Sequence, residues 1–285
     1  MTYQRVLFII LMLALGSSGC AKDLVTGKTT MNWYSVDSDT KIGQDVLNQQ
    51  IVALKKKHKD VDAPKDKEEL DRLRGIVARI GPVTHYPQFP YEVHIADVDV
   101  VNAWCAPGGK MMVFTGLWDP KKGFVEKDND AELAAVLAHE IAHANARHVT
   151  EMVSRGQTLS ILTTAAMVGM QAGAGSQAAN AFGQVASLGF DIYFPVYSRG
   201  NEEEADRIGL IYMAKAGYDP RVAVTLWERA SMKKGDRTSI FASHPSSGAR
   251  AEALKEMLPE ALPYYEGSPW KYEKQNKKKQ RMKRS

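Results

Sequence analysis

Apolar residues recur at spacings of three and four in several parts of the chain, and this periodicity predicts amphipathic helices. The predicted helices cover residues 39–57, 67–80, a stretch that starts near residue 129 and meets no Gly or Pro before Gly156, a helix starting at 219–220, and residues 247–258. A small sheet is predicted from three β-prone runs, over residues 91–96, 98–103 and 110–115. The pattern therefore indicates one mainly helical domain of the α+β class.

The predicted helix from residue 129 contains the segment HEIAH, which matches the metal-binding pattern H-E-x-x-H. Residues four apart share a helix face, so His139 and His143 can direct ring nitrogens at one metal ion. Glu140 lies about 100° around the helix from His139, where it can contact a metal-associated water without ligating the metal. Because the flanking residues are apolar, a buried catalytic helix is favoured over two exposed histidines. The segment predicts metal-assisted peptide hydrolysis.

A catalytic zinc ion usually takes a third ligand from the protein. In one continuous helix His148 would lie about 140° away from the face that carries His143, so we interpret it as an ordinary polar residue at the helix end. The metzincin pattern is excluded, because Ala146 and Val149 stand where that pattern requires Gly and His. The third ligand must therefore come from elsewhere in the chain.

The acidic segment SRGNEEEADRIG offers a candidate. Glu202 and Asp206 are four residues apart on one predicted helix face. Glu202 can complete a His2Glu site, and Asp206 can accept the spare N–H of a ligand histidine. Taken alone, the cluster is also typical of a solvated helix N-terminus, which acidic residues favour. Its occurrence beside H-E-x-x-H favours the metal-site interpretation.

Four segments resemble, in the same order, the gluzincin metallopeptidases of the HtpX, BepA and CAAX-prenyl-endopeptidase type. These segments are NAWCAPGG, HEIAH, SRGNEEEADRIG and SHPSSGAR, and they span about residues 90 to 255. The resemblance implies a zincin-type α+β domain with a small sheet beside the HEIAH helix, and one zinc ion per chain. The roles it implies are zinc ligands at His139, His143 and Glu202, a general base at Glu140, and a hydrogen-bond partner of the ligands at Asp206.

The resemblance also implies roles that spacing alone does not assign. His244 and Arg250 are candidates to stabilise the oxyanion of the reaction. In BepA-like relatives the corresponding histidine can instead sit on the zinc as a fourth, inhibitory ligand. A simpler interpretation of His244, as a cap on the turn before Pro245, stays open.

The resemblance implies that the β-prone run after the Gly108-Gly109 turn forms one rim of the active-site cleft. Its open edge would pair with the backbone of a protein or peptide substrate, through Gly109, Met111 and Val113. The alternative interpretation is a plain core strand, and the two interpretations are compatible.

The first residues predict export. Arg5 precedes ten apolar residues, which suit a signal peptide and are too few to span a membrane. Small residues before Cys20 resemble a lipoprotein cleavage site, although Ser17 stands where such sites usually carry Leu. Residues 1–19 are therefore predicted to be removed and Cys20 to carry a lipid, with ordinary secretion as the alternative. Since Ala21 rather than Asp follows, we expect a periplasmic protein anchored to the outer membrane.

The formal net charge of +4 conceals a basic C-terminal segment. Residues 271–285 contain eight Lys or Arg and one Glu, which is typical of a disordered tail or of contact with anionic lipid. The export signal argues against a nucleic-acid partner. Cys105 is the one cysteine besides Cys20, so the mature chain is expected to form no intramolecular disulfide. The metallopeptidase domain is predicted over residues 30–265, with no internal linker.

No charged residue occurs between Gly156 and Phe190, and we interpret this stretch as a helical pair beside the active site that contacts a membrane or a partner. Together these features predict a zinc metalloendopeptidase that acts on envelope proteins in protein quality control. Two alternatives stay open: a non-catalytic assembly factor that keeps the fold, and a latent enzyme held inactive by His244.

Overall fold

The computed structural model describes residues 20–23, 25–170, 197–232, 244 and 250–271. The predicted signal peptide, most of the basic tail and the second half of the uncharged stretch fall outside these residues. Within them, no helix has both the length and the apolar composition that crossing a bilayer requires.

Helices make up most of the described residues. They are α1 (Val36–Lys56), α2 (Lys67–Ile80), α3 (Asp130–Asn145), α4 (His148–Met170), α5 (Arg199–Lys215), α6 (Arg221–Met232) and α7 (Arg250–Gly267). The helices predicted over 39–57, over 67–80 and from 219–220 are confirmed, although α1 begins earlier than expected, after its cap Ser35. The last predicted helix is longer than expected, because α7 continues through Pro259 and Pro263.

The expectation of one uninterrupted helix from residue 129 is wrong, because the chain breaks between α3 and α4 at Arg147. This residue has φ +56°, a conformation that side chains with a Cβ rarely adopt. Its guanidinium stabilises the break by donating from Nε to Asp39 Oδ2 at 2.6 Å and from Nη2 to the Tyr34 carbonyl at 2.6 Å. Asp39 belongs to α1 and is fully buried. A tertiary ion pair therefore overrides the helix propensity of this segment.

The sheet has three strands in the order β3-β5-β4, with β3 at Glu92–Ala96, β4 at Ala103–Ala106 and β5 at Lys110–Phe114. β3 runs parallel to β5, and β4 runs antiparallel to it. A separate hairpin pairs β1 (Cys20–Lys22) with β2 (Thr29–Met31). The strand predicted over 98–103 is misplaced, because tight turns closed by the Val98 and Asn102 amides delay the strand until Ala103.

The prediction that the run after Gly108-Gly109 has an open strand edge is wrong. β5 is the central strand, so Met111 lies between Val93 of β3 and Cys105 of β4. All residues of β5 are buried, and this includes Met111 and Val113. Gly109 faces the Tyr91 ring, where an added Cβ would lie only 2.5 Å from a ring carbon. Met111 and Val113 therefore belong to the core of the sheet, Gly109 packs in the turn before it, and none of the three lies at an edge that could add a substrate strand.

The two faces of the sheet pack against different helices. Side chains such as Trp104, Met112 and Phe114 face α1 and its Leu47 and Leu54. The alternate residues face the larger core, to which α2, α3 and α5 contribute their buried apolar side chains. α3 is buried along almost its whole length, since the sheet covers one side and α5 covers another. The HEIAH segment is thus held rigidly at the centre of the molecule.

Candidate metal centre and active site

Helices α3 and α5 approach each other closely beside His139. The residue that permits this is Gly209 of α5, where an added Cβ would lie 3.1 Å from both Cα and the backbone N of His139. One turn and two turns earlier on α5 stand Asp206 and Glu202, both buried. The close crossing therefore places the two carboxylates against the two histidines of α3.

Four potential ligand atoms from three parts of the chain meet here, all within 4.8 Å of one another. The Nε2 atoms of His139 and His143 are 3.1 Å apart, and Glu202 oxygens lie 3.5 Å from the first and 3.3 Å from the second. His244 adds its Nδ1 atom at 2.9 Å from Glu202 and 3.3 Å from His139 Nε2. The predicted ligands are thus brought together, with His244 among them.

The chemistry of these residues fits a bound metal cation. Imidazole nitrogens and a carboxylate oxygen are the donors that zinc and similar transition metals take in proteins. Glu140 lies beside the cluster, almost completely buried, and among the described residues its Oε2 has no hydrogen-bond partner. A buried carboxylate oxygen without a partner is costly, and a water held by a metal in the cluster would satisfy it.

The electrostatics of the cluster favour a cation as well. Burial lowers the pKa of His143 well below its usual value, which keeps this imidazole neutral and able to ligate. Burial acts to raise the pKa of Glu202, but hydrogen bonds with His139, His143 and His244 outweigh it and hold that pKa far below normal. Burial and Arg250 act to lower the pKa of His139, yet its contacts with Asp206 and Glu202 raise it to about 9. A basic imidazole beside an ionised carboxylate is a strong ligand pair.

Arg250 and Asp206 form a second layer behind the ligand atoms. Asp206 Oδ1 lies 3.0 Å from His139 Nδ1, the nitrogen that does not face the cluster. Arg250 donates from Nε and Nη2 to Asp206, at 2.8 and 2.6 Å, and from Nη1 to Glu202 at 2.8 Å. Its guanidinium carbon lies 3.9 Å from the centroid of the Trp227 ring. Arg250 therefore directs its donors at carboxylates, which speaks against the expected role as an oxyanion donor.

Glu140 and His244 face each other across the centre of the site. Burial raises the pKa of Glu140, although the positive potential of His244 and His139 opposes the shift. His244 Nε2 lies 3.3 Å from Glu140 Oε1, while its Nδ1 contacts Glu202. His244 is buried, and the turn before Pro245 that it was proposed to cap lies outside the described residues. One imidazole thus contacts both the candidate base and the candidate ligands.

Sequence comparison decides which family this site belongs to. The sequence model of peptidase family M48 matches residues 66–258, which include α2 to α6, the sheet and all the site residues described above. The chain belongs to peptidase family M48. Family membership agrees with the mainly helical α+β fold and with the gluzincin resemblance of the four sequence segments.

Curated relatives of this M48 chain are metallopeptidases from bacteria and mitochondria. It is 32% identical over 242 residues to the mitochondrial metalloendopeptidase OMA1 of Schizosaccharomyces pombe, covering 83% of this chain and 66% of that relative. It is 26% identical over 261 residues to the metalloprotease LoiP of Escherichia coli, covering 89% and 96%. The β-barrel assembly-enhancing protease of Yersinia pestis is 33% identical over 134 residues, covering 46% and 26%. The chain spans between 33% and 66% of the length of the OMA1 relatives.

Several residues that surround the M48 site were not identified from the sequence. The interpretation of His148 as an ordinary polar residue is wrong: it is buried, and its Nδ1 lies 2.8 Å from His143 Nδ1. Tyr197 stacks on His143 with a ring separation of 3.7 Å, and Trp227 covers Arg250. The break at Arg147 is what turns His148 toward the site, and no Gly or Pro in the sequence signals that break.

Proposed function

We propose that this M48 chain is a zinc-dependent metalloendopeptidase. The observation that carries the proposal is the convergence of His139, His143 and Glu202 on one point. Ligand bonds of about 2.0–2.1 Å in a tetrahedral zinc site place the ligand atoms about 3.3 Å apart. The corresponding separations among His139 Nε2, His143 Nε2 and the Glu202 oxygens are 3.1, 3.3 and 3.5 Å.

The residues divide the work of hydrolysis among them. When bound, zinc supplies the Lewis acidity that makes water reactive toward a carbonyl near neutral pH. Glu140 accepts a proton from the attacking water and returns it to the leaving amine, and its raised pKa brings it closer to the working pH. Asp206 holds the hydrogen on His139 Nδ1, which leaves Nε2 free to ligate. Arg250 is a positioning residue that fixes Asp206 and Glu202.

The substrate backbone is assigned to β4 rather than to β5. Among the described strands, β4 is the one that both borders the sheet and packs against α3. A peptide added beside β4 would run past the ligand residues of the same helix, which is how strand addition supplies affinity with little sequence selectivity.

A latent enzyme is the second candidate, and the position of His244 favours it. The Nδ1 atom of His244 lies among the proposed ligand atoms and its Nε2 atom lies 3.3 Å from Glu140 Oε1, so the imidazole stands where we expect the attacking water to bind. In this arrangement the protein would be inactive until residue 244 moves away. The non-catalytic alternative is less favoured, because Glu140 and the three proposed ligands are all present and lie close together.

Zinc content and casein cleavage test these alternatives in three proteins: wild type, Glu140→Gln and His244→Ala. We expect each to bind one zinc ion, with cleavage highest in His244→Ala and absent from Glu140→Gln and from the Glu140→Gln/His244→Ala double variant. Equal cleavage by wild type and His244→Ala would show that His244 does not inhibit the enzyme, and the protease assignment would stand. Zinc-loaded protein without Glu140-dependent cleavage, even in the His244→Ala background, would support the non-catalytic scaffold.

The cellular setting is proposed from the N-terminal sequence and from the name of one relative. We propose a periplasmic enzyme anchored to the outer membrane by a lipid on Cys20, acting on envelope proteins in quality control. The lipoprotein-like sequence before Cys20 and the similarity to a β-barrel assembly-enhancing protease support this setting. Metabolic labelling with a radioactive fatty acid tests the anchor: wild type should be labelled and Cys20→Ala unlabelled, while an unlabelled wild type would favour ordinary secretion.

A further inference from the structure

A chain of hydrogen bonds leads away from His143 on the side opposite the ligand cluster. His143 Nδ1 lies 2.8 Å from His148 Nδ1, and His148 Nε2 lies 3.0 Å from Glu204 Oε2. Glu204 Oε1 in turn accepts a hydrogen bond from Lys28 Nζ at 2.6 Å. His143 and His148 are buried, Glu204 is largely covered, and Lys28 is exposed. The chain thus runs from the metal site to the surface through two imidazoles and one carboxylate.

The contact between the two Nδ1 atoms permits only one donor and one acceptor. A ligand histidine binds a metal through a nitrogen lone pair, so if His143 Nε2 ligates, its hydrogen must be on Nδ1. His143 Nδ1 then donates to His148 Nδ1, and the hydrogen of neutral His148 is left on Nε2. Glu204 is the acceptor that meets that hydrogen. Every bond of the chain therefore has one direction once His143 is a ligand.

The reverse arrangement would disable the site. A hydrogen on His148 Nδ1 would be donated to His143 Nδ1, and neutral His143 would then carry its own hydrogen on Nε2, facing the ligand atoms of His139 and Glu202. Glu204 disfavours this arrangement, because its carboxylate would then face the lone pair of His148 Nε2 instead of a hydrogen. The carboxylate therefore selects, through His148, the form of His143 that can bind metal.

We infer that His148 and Glu204 are positioning residues that fix the tautomer and ring orientation of the metal ligand His143. The inference rests on the proposed zinc site and extends it. His148 accepts the Nδ1 hydrogen of His143 in the same way that Asp206 accepts the Nδ1 hydrogen of His139. The difference is that a second imidazole lies between ligand and carboxylate. The stacked Tyr197 ring covers one face of His143, so the ring is held both by packing and by this hydrogen bond.

Zinc affinity is the measurement that separates this role from a purely structural one. Apo protein should be titrated with zinc against a chromophoric chelator, and with Co²⁺ for the absorption spectrum of the site. We expect His148→Phe to lower the affinity about 10- to 100-fold, as loss of an outer hydrogen-bond partner does at other metal sites. His148→Asn can keep an acceptor near the Nδ1 position and should recover part of the loss. Glu204→Gln should weaken binding in the same direction but by less.

Two control variants complete the experiment. Lys28→Met removes the exposed end of the chain and should change zinc affinity at most a few-fold, since exposed ion pairs contribute little. His94→Phe is the same substitution at a histidine of β3 that, like His148, has both ring nitrogens in contact with polar groups: Asp62 at 2.6 Å and Glu92 at 3.0 Å. It should leave zinc affinity and the Co²⁺ spectrum unchanged.

The outcomes are distinct. Zinc affinities of His148→Phe and Glu204→Gln that equal the wild-type value would overturn the inference while leaving the zinc site intact. If His148→Phe does not fold, as judged by circular dichroism, His148→Asn and Glu204→Gln decide the question by the same comparison. Wild-type protein that binds no zinc would overturn the proposed function itself, and the inference with it.

Discussion

Arg250 shows how much of the site depends on a single buried cation. Its guanidinium contacts Asp206 and Glu202, and all three side chains are at least nine-tenths buried. Two carboxylates this close would repel each other strongly in a poorly solvated environment if no cation lay between them. Trp227 stacks on the guanidinium and keeps it in place. The residue therefore serves stability and ligand geometry together.

Replacing Arg250 tests this dependence. We expect Arg250→Met to lower the free energy of unfolding of the metal-free protein by about 3–5 kcal/mol, because it leaves buried carboxylates uncompensated. The matched control is Arg207→Met, which breaks the exposed bidentate pair with Glu260 and should cost at most about 1 kcal/mol. Urea unfolding in the presence of a chelator measures both values, and equal losses in the two variants would contradict the assignment.

Residue types and spacing predicted that His139, His143, Glu202 and Asp206 could lie together, whereas His244 and Arg250 were assigned to the site only by the family resemblance. H-E-x-x-H predicts two ligand positions and a base because the helix period alone places them. The surroundings of His148 and the direction of the Arg250 donors could not be predicted in this way. Both depend on contacts between residues far apart in sequence, such as Arg147 with Asp39, which local patterns do not encode.

The crossing of α3 and α5 sets the geometry of the site at the scale of elements. Gly209 allows the α5 backbone to approach His139, and the proposed ligands Glu202 and His143 then face each other across the crossing. A methyl group at this position would contact the backbone of α3, which cannot rotate away as a flexible side chain can. A Cβ at residue 209 would therefore require the two helices to move apart by a few tenths of an ångström.

Gly209→Ala should therefore weaken zinc binding and destabilise the protein, even though Ala is the better helix former. Gly75→Ala is the matched control, since Gly75 lies in α2 with nothing within 4 Å of an added Cβ. That variant should gain about 0.5–1 kcal/mol of stability and leave zinc affinity unchanged. Chemical unfolding and zinc titration give both quantities. A stabilised Gly209→Ala with wild-type affinity would show that the helix separation does not control the site.

Elements with strong apolar periodicity were predicted well, and elements defined by tertiary contacts were not. The periodic pattern of α2 gave its bounds at Lys67 and Ile80 correctly. The break at Arg147 and the central position of β5 were missed, because an ion pair with α1 decides the first and strand order decides the second. A β-prone run shows that a strand forms but not which strands lie beside it.

The candidate ligands of the cluster come from α3, α5 and residue 244, so a metal bound there should connect these parts. A ligand that binds only the folded state stabilises it, by about 4 kcal/mol at a free concentration a thousand times the dissociation constant. Removing zinc with a chelator should therefore lower the melting temperature by several degrees, and adding zinc back should restore it.

Two variants test whether the zinc-dependent change in melting temperature comes from the proposed ligands. Glu140→Gln should keep the full zinc-dependent shift, because Glu140 does not ligate, whereas His139→Ala should lose most of it. Thermal unfolding followed by circular dichroism, with and without chelator, measures the shift. The assignment of ligands would be contradicted if Glu140→Gln abolished the shift and His139→Ala retained it.

The position of a bound metal ion tests whether α3 and α5 build one zinc site beside Glu140. Anomalous diffraction at the zinc absorption edge, from crystals of zinc-loaded protein, locates the ion without reference to activity. We predict a single strong peak about 2.0–2.2 Å from His139 Nε2, His143 Nε2 and a Glu202 oxygen. A peak elsewhere, or none at this cluster in protein that contains stoichiometric zinc, would show that His139, His143 and Glu202 do not form the zinc site.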